Sequence, residues 1–291
     1  MYKFTTLLAG AMLIAGAAQA QTIVVGGKNF TEQQIMTAMT QQLLEDRGFS
    51  VDARGGMGSA VVRQAMENGQ VDVYWEYTGT SLIVYNNIEE SLGPDETYET
   101  VKELDAEKGI VWLDPSDANN TYALAMRAAD AEERGIETIS DLAAKLNEGV
   151  RLPLASNAEF YARADGLGPL QETYGFEFPR ADIRRMDTGL VYPALRDGRV
   201  DVGVVFATDG RIPAFDLVTL EDDEGYFPAY ALAPVVRAEI LEAHPEIGEA
   251  LNDLSARLDD ETMARLNARV DVERVSIEDV AAEFLAKEGM V

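Results

Sequence analysis

The chain has 291 residues, with 51 Asp and Glu against 24 Lys and Arg, a formal net charge of −27 and no cysteine. So negative a balance repels nucleic acid and argues against a phosphate-binding groove. The missing cysteine excludes disulfides, thiolate metal sites, a cysteine nucleophile and a lipidated cysteine. The acidic residues are dispersed, as in "ETYETVKELDAEKG", which fits a solvated surface and says nothing of a ligand's charge.

The first residues, MYKFTTLLAGAMLIAGAAQA, combine Lys3, an apolar run from Leu7 to Ala18 and a small-x-small site at Ala18-Gln19-Ala20. That pattern predicts a secretory signal peptide over residues 1–20, cleaved after Ala20. The run is short and lacks a stop-transfer flank, which disfavours a membrane anchor. No later stretch is long and apolar enough to span a bilayer, so a free periplasmic protein is expected.

"TIVVGG" from Thr22 then reads as a buried strand. "TEQQ" fits a capping box, with Thr31 as N-cap and Gln34 three residues on. Ile35, Met39 and Leu43 continue at helical spacing until Arg47-Gly48. "FSVDA" is the next strand, "GGMGS" a loop whose Ser59 caps a helix ending at Asn68-Gly69, and "VDVYWEY" a third strand. Alternating strands and helices predict a parallel sheet with crossover helices. The order repeats: "RLPLAS", a helical stretch broken near Gly166, "DIRRMD", "LVYPALRDG" and "VDVGVVFATDG". "NGQVDVYWEYTGT" and "DGRVDVGVVFATD" superpose on their Val-Asp-Val, which sets Tyr77 opposite Phe206. From about Pro234 the tail reads as amphipathic helices, with Ile247, Leu251, Leu254 and Leu258 on one face. The chain leaves the first lobe near Asn119-Asn120 and returns near Phe227-Pro228. The expected architecture is therefore an α/β, two-lobed clamshell with two chain crossings and a helical C-terminal tail. Its divisions fall at 21–121 (lobe 1), 122–228 (lobe 2) and 229–291 (return to lobe 1 and terminal helices).

In an open parallel sheet ligands sit beyond the carboxyl ends of the strands. The candidates there are Lys28, Tyr77 to Thr80, Asn157, and Phe206 to Asp209. On residue type alone, Tyr77 and Phe206 fit core aromatics as well as ligand-facing ones. Tyr122 and Tyr230 fit packing, and Lys28 and Arg163 fit surface charges. Glu76 lies on the opposite parity from Tyr77 and reads as structural, a partner of the opposite lobe or of a loop. Asp209 reads as a turn former with an acceptor role open, and Trp75 and Trp112 as packing. An enzyme lacks its parts: the single histidine, His244, sits among tail helices, "GMGSA" is not a nucleophile elbow, and "EDDEG" lacks calcium-loop spacing. No metal and no cofactor is expected.

"GGKNFTEQ", "GQVDVYWEYTGT", "NNTYALAM", "ATDGRI" and "YFPAYALAP" together resemble the substrate-binding proteins of osmoprotectant ABC importers. The resemblance runs from about Thr22 to the end. It implies a type II-like periplasmic-binding-protein fold, a membrane permease as partner, and a quaternary ammonium ligand such as glycine betaine, choline or carnitine. A trimethylammonium group has no N–H to donate, so aromatic faces hold it, at ~2 kcal/mol or more per desolvated ring. The resemblance places this box on Tyr77, Tyr122, Phe206 and Tyr230. At Phe206 relatives often carry Tyr, so the π face is kept and a hydroxyl lost. Lys28, Thr80 and Arg163 match the positions that hold a ligand carboxylate, which favours a zwitterion, glycine betaine first, over choline. A sulfonium analogue would suit the same box. A receptor for another amine or amino acid would instead need hydrogen-bond acceptors.

Overall fold

The computed structural model describes residues 22–88, 90 and 92–291; the expected signal segment lies outside them. In chain order the strands are β1 (Thr22–Lys28), β2 (Ser50–Met57), β3 (Val73–Tyr77), β4 (Ile110–Trp112), β5 (Tyr122–Arg127), β6 (Leu154–Ser156), β7 (Ile183–Arg185), β8 (Val202–Phe206), β9 (Leu217–Thr219) and β10 (Leu232–Arg237). They form two five-stranded sheets of orders β2-β1-β3-β10-β4 and β7-β6-β8-β5-β9. In the first sheet β1 runs parallel to β2 and β3, while β10 is antiparallel to β3 and β4. The second repeats this with β6 parallel to β7 and β8, and β5 antiparallel to β8 and β9.

The antiparallel strand in each sheet is the first one reached after a crossing. Parallel strands run toward the cleft between the lobes. A chain arriving through the cleft must therefore run away from it. A matched ion pair fixes each of these strands beside its neighbour. Arg237, closing β10, donates to Asp72 at 2.9 Å, and Arg127, closing β5, donates to Asp201 at 2.9 Å. Both aspartates belong to the Val-Asp-Val motifs that precede β3 and β8, so the internal repeat read from sequence extends to its polar contacts.

β3 is central and buried on both faces, as an inner parallel strand must be. Val73, Trp75 and Tyr77 enter one apolar cluster and Tyr74 the other, which matches their parity. Trp75 Nε1 donates to Thr40 at 2.9 Å and Trp112 Nε1 to Asp105 at 2.9 Å, so both tryptophans pack rather than line the cleft. Glu76 is fully buried within its own lobe. It pairs with Lys28 and accepts from Tyr74 Oη at 3.0 Å and from the Tyr77 amide at 2.7 Å, not from a group of the opposite lobe. The terminal helices Asp260–Asp271 and Ile277–Lys287 bury Met263, Leu266, Phe284 and Leu285 against Ile35, Met39 and Leu43 of helix Thr31–Asp46. No helix among the described residues is long and apolar enough to cross a membrane.

Three local expectations are corrected. The Thr31 capping box does not form: Phe30 is the N-cap, and the Thr31 hydroxyl donates to Asp271 at 2.9 Å instead. Helix Ser59–Glu67 is capped by Gly58, because β2 continues through Met57 and the Ser59 hydroxyl is used elsewhere. The tail becomes helical only at Ala238. Pro234 to Arg237 lie inside β10, where an unbroken apolar run pairs with β3 and β4, and such a run does not reveal its period.

Candidate ligand-binding site

The carboxyl ends of β1, β3, β6 and β8 open on one cleft of about 1020 Å³. Lys28, Tyr77, Thr80, Tyr122, Arg163, Phe206 and Tyr230 all line it. Lys28 and Tyr77 end β1 and β3, Tyr122 opens β5, and Phe206 ends β8. The same topology that makes β5 and β10 antiparallel thus brings Tyr122 and Tyr230 up against the ends of the parallel strands.

The rings form a connected wall. Tyr122 lies 4.9 Å from Phe206 and 5.7 Å edge-on from Tyr230, centroid to centroid. Phe30, which the sequence reading did not single out, stacks at 5.2 Å on Phe206 and 6.2 Å on Tyr77 and lines the cleft with them. Gly79 explains how Tyr230 gets in: a Cβ there would stand 2.9 Å from the Tyr230 ring and 2.7 Å from the Ala229 carbonyl. Burial pushes the hydroxyls of Tyr77, Tyr122 and Tyr230 above the ordinary phenol range; Glu32 adds to this at Tyr77, Asp165 adds at Tyr230, and Arg163 opposes it at Tyr122. The three stay neutral donors at physiological pH.

Two cations of the cleft, Arg163 and Lys28, are held by carboxylates. Arg163 forks onto Asp165 at 2.7 and 2.6 Å, reaches Glu159 at 3.2 Å and Thr80 at 3.4 Å, and lies 5.4 Å over the Tyr122 ring and 5.8 Å over that of Tyr230. Burial is the largest influence and opposes its charge, but the Asp165 bonds together with the electrostatic pull of Asp165, Tyr122 and Tyr230 leave the net shift upward. The Tyr230 hydroxyl donates to the same Asp165. Lys28 pairs with Glu76 and stands 4.9 Å over the Tyr77 ring. Counting donors, Arg163 keeps one Nη2 hydrogen, Lys28 keeps two ammonium hydrogens, and the Thr80 hydroxyl, which accepts from Arg163, keeps its own. Each of the three can still bond a ligand carboxylate.

Bonds cross the cleft at several points. Ser59 donates to Glu159 at 3.0 Å, Thr208 donates to Glu32 at 2.6 Å, and Arg211 pairs with Asp271 at 3.2 Å. Asn157 caps helix Ala158–Ala162 by accepting from the Phe160 amide at 2.7 Å, and it also lines the cleft. Asp209 is the turn former expected, its carboxylate accepting the Arg211 amide at 2.9 Å, and it fills the open acceptor role by pairing with the Arg211 guanidinium. Besides Phe30, the sequence reading missed Glu32, Glu159 and Asp165. Phe30 and Glu32 stood inside the quoted "GGKNFTEQ". Asp165 was signalled by Arg-x-Asp, since Arg163 has an extended backbone and residues two apart then share a side.

Two sheet-bearing lobes around a polar-rimmed aromatic cleft define the class: a two-lobed solute receptor. Residues 21–287 match the family model described as the substrate binding domain of an ABC-type glycine betaine transport system, and the chain belongs to that family. It is 49% identical to the glycine-betaine-binding protein of Pseudomonas aeruginosa, covering 98% of this chain and 94% of that one. It is 33% identical to the glycine betaine-binding protein YehZ of Escherichia coli, covering 97% of each. The crystal structure of a glycine betaine/carnitine/choline ABC transporter component superposes with a TM-score of 0.75 at 30% identity, over 92% of this chain and 99% of that one.

Proposed function

We propose that the protein is an exported, periplasmic solute receptor that binds a quaternary ammonium osmolyte, glycine betaine first, and delivers it to the permease of an ABC importer without chemistry of its own. The cleft supports this with one arrangement: five aromatic residues line it beside three donors that still have hydrogens to give. Tyr77, Tyr122, Phe206 and Tyr230 surround the onium group, and Lys28, Thr80 and Arg163 take the carboxylate. Residues 21–121 and 229–291 form one jaw and 122–228 the other, behind a cleaved segment at 1–20. Ligand that touches both jaws favours the closed form by its differential affinity. The curated relatives support the ligand class, being named for glycine betaine and, at 34% identity in Listeria monocytogenes, for carnitine. Choline and sulfonium analogues remain alternatives for the same box.

A primary amine fits less well. It needs acceptors, and Glu32 is filled by four protein donors while Glu76 and Asp165 each already take three, which leaves Glu159 and the Asn120 side-chain carbonyl open on the cleft. Calorimetry on the mature chain, unfolded and refolded to strip carried ligand, tests the reading against glycine betaine, choline, carnitine, dimethylsulfoniopropionate and proline. Micromolar or tighter binding of a methylated onium compound, about −8 kcal/mol or better, is expected. Binding of proline alone would overturn it.

A further inference from the structure

Glu32 lies beneath the aromatic wall and is 2% exposed. Its carboxylate collects four donors from four parts of the chain. The Tyr77 hydroxyl at 2.7 Å and Asn120 Nδ2 at 2.9 Å share one oxygen. The Thr208 hydroxyl at 2.6 Å and Asn267 Nδ2 at 3.1 Å share the other. Two carboxylate oxygens offer about four acceptor sites, so the group is saturated. No cation among the described residues pairs with it, and every donor is neutral.

The origin of those donors gives the group its role. Tyr77 is a wall residue of the first lobe. Thr208 belongs to the second lobe and stands two residues after Phe206, another wall residue. Asn120 sits on the first crossing and Asn267 on a terminal helix packed against the first lobe. Of the four bonds to Glu32 only the one from Thr208 spans the two lobes, and it must break if they separate. Asn267 reinforces it by also donating to the Thr208 carbonyl at 3.0 Å.

We propose that Glu32 is a positioning residue that couples the aromatic box to lobe closure: one carboxylate sets the Tyr77 ring and latches the turn that follows Phe206. This rests on the receptor reading above. With the lobes apart, Glu32 loses its Thr208 donor and keeps three, from Tyr77, Asn120 and Asn267. With the lobes together, both halves of the wall are fixed to one anchor.

The test uses the absence of native cysteine. Spin labels at Val61→Cys and Leu190→Cys, both 56% exposed and one on each lobe, report the interlobe distance. Glu32→Gln replaces one acceptor oxygen by a donor, Thr208→Val deletes the crossing bond, and Thr208→Ser restores it. Glu32→Gln and Thr208→Val should each lower the closed population, with and without glycine betaine, and Thr208→Ser should behave as the parent. Calorimetry should show affinity for glycine betaine falling at least about tenfold in Glu32→Gln, with Thr208→Val adding little on that background, because coupled residues are non-additive. Additive losses, or an unchanged closed population in Thr208→Val, would overturn the latch. The ligand-free distances stand whatever the ligand is. A parent that closes as expected yet binds none of the onium panel would count against the ligand reading and leave the latch supported.

Discussion

Removing Arg163 separates the part of the site that reads a carboxylate from the part that reads a cation. Three contributions change in Arg163→Ala. The ligand carboxylate loses the spare Nη2 hydrogen, a charged hydrogen bond worth about 1.5–3 kcal/mol, or roughly ten- to a hundredfold in affinity. Asp165 loses its forked partner and keeps only the Tyr230 hydroxyl. An uncompensated buried carboxylate costs about 3–5 kcal/mol, which appears as a lower melting temperature of the ligand-free protein. The Tyr122 and Tyr230 faces lose a competing cation, which returns a little attraction to the ligand's own onium group. Choline has no carboxylate and suffers only the second and third effects. Titrating both ligands into parent and variant, with ligand-free melts to separate stability from recognition, should show glycine betaine losing at least about tenfold more than choline. Equal losses would mean that Arg163 only braces the wall.

Tyr77→Ala removes one face of the box, worth about 2 kcal/mol or some thirtyfold in affinity; calorimetry showing unchanged binding would take Tyr77 out of the site. Gly79→Ala should displace the Tyr230 ring, since its Cβ would stand 2.9 Å from it, and weaken the preferred ligand several-fold; a parent-like titration would show that the ring has room to yield. Asp105 accepts from Arg63, Ser81, Trp112 and Asn86. Its burial opposes ionisation, but the Arg63 pair and these bonds hold its carboxyl well below the ordinary range. A depressed folded pKa stabilises above the unfolded value of about 3.9, and that stability is lost as pH falls toward the folded value. Asp105→Asn should therefore cost about 3–5 kcal/mol near neutrality, and its melting temperature should converge on the parent's below about pH 4. A gap that does not narrow in acid would show that the carboxylate's charge is not what stabilises this network.

The sequence made the architecture legible because its two lobes are written in the same order, with Val-Asp-Val marking the strand beside each crossing. β3 showed its two faces through parity, since Tyr74 and Trp75 enter different clusters. β10 did not, because Leu232 to Val236 is apolar throughout and its pairing with β3 and β4, not its period, makes it a strand. All seven candidate residues line one cleft because strand ends and crossings converge there. Their partners were harder to see. Glu32 gathers donors from up to 235 positions away, and local spacing carries no trace of such contacts. Thr31 offered a sound local cap and was drawn instead to Asp271 across the fold.

Stepwise methylation of the amine tests the central claim most directly. Glycine, sarcosine, dimethylglycine and glycine betaine share a carboxylate and differ only in how many N–H donors methyl groups have replaced. Their affinities should be measured calorimetrically on one refolded preparation. An aromatic box should bind glycine betaine best, at micromolar or tighter, about −8 kcal/mol, with affinity falling at each methyl removed and no measurable heat for glycine. Equal affinities along the series, or a preference for glycine, would show that the cleft recognises hydrogen-bonding ammonium and that the rings are only its walls.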